Sequence, residues 1–375
     1  MPPDSDPGVA AAASRPKALL TDIPASPTVM RWATFVRPAA ALLGVLLFVL
    51  ALQLIKAGAR GLVPILDGLN ISGPMNAVGF GWLLAYAALS GSPVAAIGIT
   101  LLSGGTLSEA EAFGVVGGSR LGASFIVLAV GFVLYLRRKR NADGLYIGVV
   151  ALLTTFTIQG PAILLGLVSL HFNWLDGLQF TVPAIVTDWV DTVYGRPVDG
   201  ADRLLPTLGV FLLGTVVLLG SFTVFDRALP QLEGEAEGIR RVFHALNSRP
   251  LMFLMGCIIT SLTLSVSISL TVLVPLSLKG YLKRDHIIPY VMGANITTFI
   301  DTLAGALILG GDAAFTVVLT EMLAVAAISV VVLVAAYGPY SRAILAAAHW
   351  ATVKPRNLGM FLAAIVAVPA VMMLV

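Results

Sequence analysis

The segment MGANITTFIDTL, residues 292–303, places Asn295, Thr297, Thr298 and Asp301 inside an apolar stretch. An unpaired polar group in an apolar medium costs several kcal/mol, so such a concentration needs partners or a purpose. A second polar run, SVSISLT, sets Ser265, Ser267, Ser269 and Thr271 at every other position. Spacing of two puts neighbours on opposite sides of a helix. If the chain unwinds at the turn, several hydroxyls and free amides face one point instead. Hydroxyls both donate and accept, which suits an oxyanion that must lose its water and later leave. Half-helix N-termini add partial positive charge. The carbonyl ends, with the Thr and Asn oxygens, suit sodium. The competing reading is that these Ser and Thr cap bent backbone or pack helices closely.

Ser90 and Ser92, in LSGSP, form a similar pair upstream. Arg120 lies alone in the apolar run 115–136, where a charge costs at least a few kcal/mol unless paired or hydrated. Three roles fit it: holding an anionic substrate, standing in for a bound sodium as a tethered cation, or pairing with Asp301 or Glu321. Asp301 follows Thr297 by four residues and Thr298 by three, so one helix would carry all three on a shared face. Gln159, beside Pro161, reads as part of a kinked helix. His171, His244, His286 and His349 lie near predicted span ends, and with a single cysteine, Cys257, they indicate neither a metal cluster nor a disulfide. A serine nucleophile in LSGSP has no histidine at membrane depth to serve as its base. The chain is therefore expected not to be an enzyme.

The elements that must position these groups are membrane helices. Hydrophobic residues make up 58% of the chain and charged ones 11%, with a mean hydropathy of +0.93. A soluble domain carries about 25% charge, so the pattern is that of an all-α polytopic membrane protein. Apolar runs of spanning length fall at 39–57, 115–136, 145–170, 204–225, 287–310, 313–337 and 357–375. Regions 74–105 and 250–280 are broken by Gly, Pro and Ser, and predict hairpins that enter the membrane and return. The expected organisation is a disordered cytoplasmic tail (1–36, not a cleavable signal peptide), a first transmembrane repeat (37–171, hairpin 74–105), an extracytoplasmic loop (172–203), a second repeat (204–337, hairpin 250–280), and a cytoplasmic linker with a final helix (338–375). Anchoring RRKR (137–140) in the cytoplasm puts 18 of the 23 Lys and Arg inside, as the positive-inside tendency requires. The N-terminus is then cytoplasmic and the expected location is the plasma (inner) membrane. A net charge of +3 is too small to indicate a nucleic-acid partner.

A shift of 175 residues aligns the two broken regions without a gap. Gly81/Gly256, Ser90/Ser265, Ser92/Ser267, Gly105/Gly280 and Gly118/Gly293 are among the matches, and Arg120 falls on Asn295. The link after the first hairpin is acidic (TLSEAEA) and that after the second basic (LKRD), so the repeats read as inverted. That architecture is used by secondary transporters, with the site between the repeats.

The chain resembles the type II sodium–phosphate cotransporters over about residues 40–337. That family carries a QSSS motif in each re-entrant hairpin and, about thirty residues later, a GANIGTT-like motif. Here LSVS (264–267) precedes GANITTF (293–299), and LSGS (89–92) precedes GSRLGAS (118–124). Leu89 and Leu264 stand where the family has glutamine, and Thr297 replaces its glycine. The resemblance implies sodium-coupled symport of inorganic phosphate by alternating access. It implies substrate contacts from Ser90, Ser92, Ser265, Ser267, Arg120 and Asn295, and sodium contacts from Ser269, Thr271, Thr297, Thr298 and Asp301. Sodium is the expected co-transported ion, with no organic cofactor. Expected partners are phosphate or a similar anion, membrane lipid and, as a candidate, a second copy of the chain. Two alternatives remain open: the same scaffold carrying another small solute or coupled to protons, and a membrane protein that does not transport.

Overall fold

A computed structural model describes residues 27–69, 71–137, 143–175, 177, 183–228, 248–271, 273, 284–309 and 312–374. Among them the chain is helical throughout, with no strand. The expected tail lies largely outside the described residues, but α1 already begins at Pro27 and runs to Gly58. A 3₁₀ turn, Ala59–Leu62, joins it to α2 (Val63–Gly68). There follow α3 (Pro74–Ala88), α4 (Ser92–Ser103), α5 (Glu109–Ala123), α6 (Phe125–Arg137), α7 (Asp143–His171), α8 (Ala184–Leu204) and α9 (Thr207–Ala228). The rest comprises α10 (Arg249–Thr263), α11 (Val266–Thr271), α12 (Arg284–Thr297), α13 (Ile300–Ile308), α14 (Asp312–Val331), α15 (Tyr337–Val353) and α16 (Pro355–Leu374).

Seven helical runs among the described residues are long and apolar enough to cross a membrane: Val36–Gly68, Glu109–Phe132, Gly144–His171, Thr207–Phe225, Arg284–Ile308, Asp312–Val353 and Pro355–Leu374. They coincide with the seven apolar runs of the sequence. The chain is thus an all-α, multi-pass membrane protein. The 15 residues of α3 and the 12 of α4 span only ~22 and ~18 Å at 1.5 Å per residue, short of a ~30 Å hydrocarbon core.

Glycine lets several helices touch backbone to backbone, a common device where lipid offers no hydrophobic drive to associate. On α3, a Cβ at Gly81 would strike the carbonyl of Val115 on α5, and one at Gly118 on α5 would strike the carbonyl of Val78. On α10 and α12, Gly256 abuts the carbonyl of Tyr290 and Gly293 that of Phe253. Each contact in the second pair lies 175 residues beyond its counterpart in the first. Both α3 and α10 end on a leucine in the left-handed region, Leu89 (φ 49°) and Leu264 (φ 48°). That conformation is uncommon for a residue with a Cβ. The second helix after each of these is interrupted: α5 gives way to α6 at Ser124, and α12 to α13 at Thr298–Phe299.

Two segments outside the apolar runs are also helical. Residues 172–203, expected as an extracytoplasmic loop, carry α8 over most of their length. Val190 and Tyr194, four residues apart, pack on Val49, Leu46 and Leu50 of α1, while Ile185 and Trp189 are exposed. Asp188, Asp191, Gly195 and Pro197 masked this amphipathic period in the sequence. The link expected at 338–356 is also helical. After a π-helical stretch, Val332–Ala336, the chain continues as α15. Pro339 is accommodated because proline is tolerated in a helix's first turn, where its missing N–H has no partner to lose.

Candidate functional site

Arg120 sits one turn before the α5/α6 break, 3% exposed. Its guanidinium crosses to the α12/α13 break. One terminal nitrogen donates to Thr298 Oγ1 at 3.2 Å, the other to Thr302 Oγ1 at 2.6 Å. The second nitrogen also lies 3.6 Å from Asp301 Oδ1. The ring of Phe299 lies 4.6 Å from the guanidinium carbon, within cation–π range. Asp301 Oδ1 accepts from the Thr302 amide (2.6 Å) and hydroxyl (2.9 Å). The ion pair is incomplete: among the described residues, Arg120 Nε and Asp301 Oδ2 are buried without partners.

The break in the second helix decides which face each residue takes. Thr298 and Asp301 turn to Arg120, whereas the Thr297 hydroxyl donates to the carbonyls of Cys257 (3.0 Å) and Gly293 (3.4 Å). The shared face expected for Thr297, Thr298 and Asp301 is therefore split. That inference assumed a continuous helix, and the turn at Thr298–Phe299 rotates the two parts relative to each other. Asn295 donates to Thr155 Oγ1 on α7 at 3.0 Å, and Ser124 donates to the same oxygen at 2.8 Å. One threonine thus links the two helix breaks.

The first hairpin turn reaches this region. A Cβ at Gly91, between Ser90 and Ser92, would lie 2.7 Å from the Ser119 carbonyl and 2.9 Å from the Ala123 Cβ. Both flank Arg120 on α5. Ser92 is buried and Ser90 half-buried. At the second turn Ser265 caps α11, its hydroxyl accepting from the Ile268 amide at 3.3 Å. Ser269, fully buried, accepts from Thr260 (2.7 Å) and pairs with Tyr290 OH (2.8 Å). It ties α11 to α10 and α12 rather than facing Arg120. The side chains of Ser267 and Thr271 lie outside the described residues. Leu264 lines a cavity of about 130 Å³, together with Asp301, Phe48 on α1 and Phe222 and Phe225 on α9. One wall of the cluster is therefore reached from between α1 and α9.

A second buried group adjoins the first. Gln159, on α7, donates from Nε2 to Glu321 Oε1 on α14, and both side chains are fully buried. Gly117, one turn before Arg120 on the same face, leaves room for that carboxylate: a Cβ there would stand 2.8 Å from Oε1. Gln159 is thus more than part of a kink, since α7 runs unbroken past Pro161 and its amide holds a buried acid. Phe299, Thr302, Thr155 and Ser124 were also missed as members of the site. Thr302 carried a signal, lying four residues after Thr298. The others required knowledge of which helices touch.

No family model, curated protein or solved structure matches the chain. Fold and site define a multi-pass α-helical membrane protein whose interior, among the described residues, holds one arginine and two carboxylates among threonine hydroxyls. A buried cation with unsatisfied donors can receive an anion, and the surrounding oxygens can receive a small cation.

Proposed function

We propose that this protein is a secondary active transporter that takes up a small anion, inorganic phosphate foremost, with sodium, by alternating access. In this reading residues 37–171 and 204–337 are inverted repeats, each with a re-entrant hairpin, and the N-terminus is cytoplasmic. The observation that carries it is the meeting of Arg120, from one half of the chain, with Thr298 and Asp301 of the other at paired helix breaks. Discontinuous helices facing each other across a repeat interface are where such proteins bind their cargo. The repeat is supported by contacts that recur at a spacing of 175: glycine on carbonyl between α3 and α5 and again between α10 and α12, and a left-handed leucine ending α3 and α10. Opposite orientation is supported by the acidic and basic links after the two hairpins.

Arg120 supplies the anion's charge partner, with Ser90 and Ser92 close by on the first turn. Asp301 is released when the anion takes the guanidinium and is then available to sodium. A second reading keeps the scaffold and changes the anion. It is favoured by the single guanidinium, which suits a monovalent anion as well as phosphate. Purified protein in liposomes, given labelled phosphate under an inward sodium gradient, tests both readings. Concentrative uptake, competed by the true substrate, is expected. Failure to exceed protein-free liposomes with phosphate, sulfate or carboxylates, under either sodium or proton gradients, would overturn the transport reading.

A further inference from the structure

We propose that Glu321 is a proton-binding site, with Gln159 as its positioning residue, and that its proton takes part in coupling. The charge count is the first ground. Arg120 interacts electrostatically with both Asp301 and Glu321, so two carboxylates share one cation at membrane depth. An uncompensated charge there is strongly disfavoured, and one added proton makes the cluster neutral. Asp301 has the ion pair and two donors from Thr302. Glu321 has a single neutral amide, so the proton belongs on Glu321.

The orphaned atoms are the second ground. Among the described residues, Gln159 Oε1 and Glu321 Oε2 are both buried without partners, and both are acceptors when the acid is ionised. Protonation turns Oε2 into a donor within an acid–amide pair, supplying what an ionised pair lacks. Elements packed on α14 bring few competing charges. Arg120 comes from α5 and Asp301 from α13, while α4 has no ionisable residue. The part of α7 around Gln159 is likewise uncharged. The ionisable residues of α12, Arg284, Asp285, His286 and Tyr290, fall in its first two turns, and Tyr340 on α15 is bonded to Thr157. A proton also fits the space. The carboxylate lies so close to Gly117 that a Cβ there would stand 2.8 Å from Oε1, and a proton needs no coordination shell.

The coupling part of this proposal rests on the transport reading; the proton site does not. Infrared difference spectra of purified protein at neutral pH, in H₂O and D₂O, read the site directly. A protonated-carboxyl carbonyl band is expected in wild type and should vanish in Glu321→Gln, whose amide can reproduce the hydrogen-bonded pair. In Gln159→Leu the band should move to higher frequency as the carbonyl loses its hydrogen bond. A missing band, or one that survives Glu321→Gln, overturns the site. In liposomes an inward proton gradient should stimulate phosphate uptake several-fold in wild type and not in Glu321→Gln. If the band is present but the gradient has no effect, coupling is overturned. If no transport occurs at all, only the transport reading falls and the infrared result still decides the site.

Discussion

Replacing Arg120 by methionine keeps length and apolar bulk but removes the cation. The guanidinium's bonds to Thr298 and Thr302 disappear, as does the 3.6 Å contact with Asp301. What remains at Asp301 Oδ1 is the amide and hydroxyl of the adjacent Thr302, with Oδ2 still bare. Removing one partner of a buried pair costs about 3–5 kcal/mol, because the other charge is left uncompensated. The separate bonds, each worth about 1.5–3 kcal/mol to a charged group, cannot be added on top, since they are part of the same loss. Asp301→Asn should cost less, about 2–3 kcal/mol, because Arg120 keeps two threonines and the Phe299 ring. In Arg120→Met/Asp301→Asn both charges go, and the double variant should be more stable than Arg120→Met alone. A coupling of about 2–3 kcal/mol is expected between them. Reversible unfolding of the four proteins in mixed detergent–lipid micelles measures it. Single variants within about 0.5 kcal/mol of wild type, adding without coupling, would refute the claim that this pair holds the two helix breaks together.

Gly256→Ala and Gly293→Ala should each destabilise by at least about 1–3 kcal/mol, read in the same unfolding assay, because the new methyl meets a backbone carbonyl that cannot yield without moving a helix. Their counterparts Gly81→Ala and Gly118→Ala should behave alike. Ser265→Ala should cost about 1 kcal/mol, the worth of an N-cap, while Ser269→Ala strands Tyr290 and Thr260 and should cost about 1–3 kcal/mol. Equal effects at the two serines in the same melts would remove the distinction drawn between them. In a Cys257→Ala background, an impermeant thiol reagent on intact cells should label Glu109→Cys and spare Lys283→Cys. Labelling of both from outside would remove the inverted orientation. Arg120→Asn should raise the half-saturating anion concentration in liposome uptake if the guanidinium holds the anion. It should instead steepen the sodium dependence if the guanidinium replaces a sodium, and unchanged values for both exclude both roles.

Apolar run length was enough to locate all seven spanning stretches, because the bilayer demands a minimum length of apolar helix whatever packs against it. Gly and Ser at matched spacing likewise marked the places where α3 and α10 end on left-handed leucines, since a turn in apolar surroundings needs small or hydroxyl-bearing residues to satisfy its backbone. The alternation that identifies α8 was harder to see, because its acids and Pro197 obscure a period carried by only a few apolar side chains. Arg120, Asn295, Thr298 and Asp301 stood out in the sequence as candidate site residues because polar groups in an apolar run are costly. Which of them meet was not legible. The turn at Thr298–Phe299 sends Thr297 to the Cys257 carbonyl and its neighbour to Arg120, a rotation that no spacing rule for a continuous helix contains. Gln159 and Glu321, 162 positions apart, become one hydrogen-bonded pair because α7 packs on α14, with glycine at 117 leaving room for the carboxylate. Sequence sets which groups must find partners in the membrane; helix breaks and close glycine contacts decide which partner each one finds.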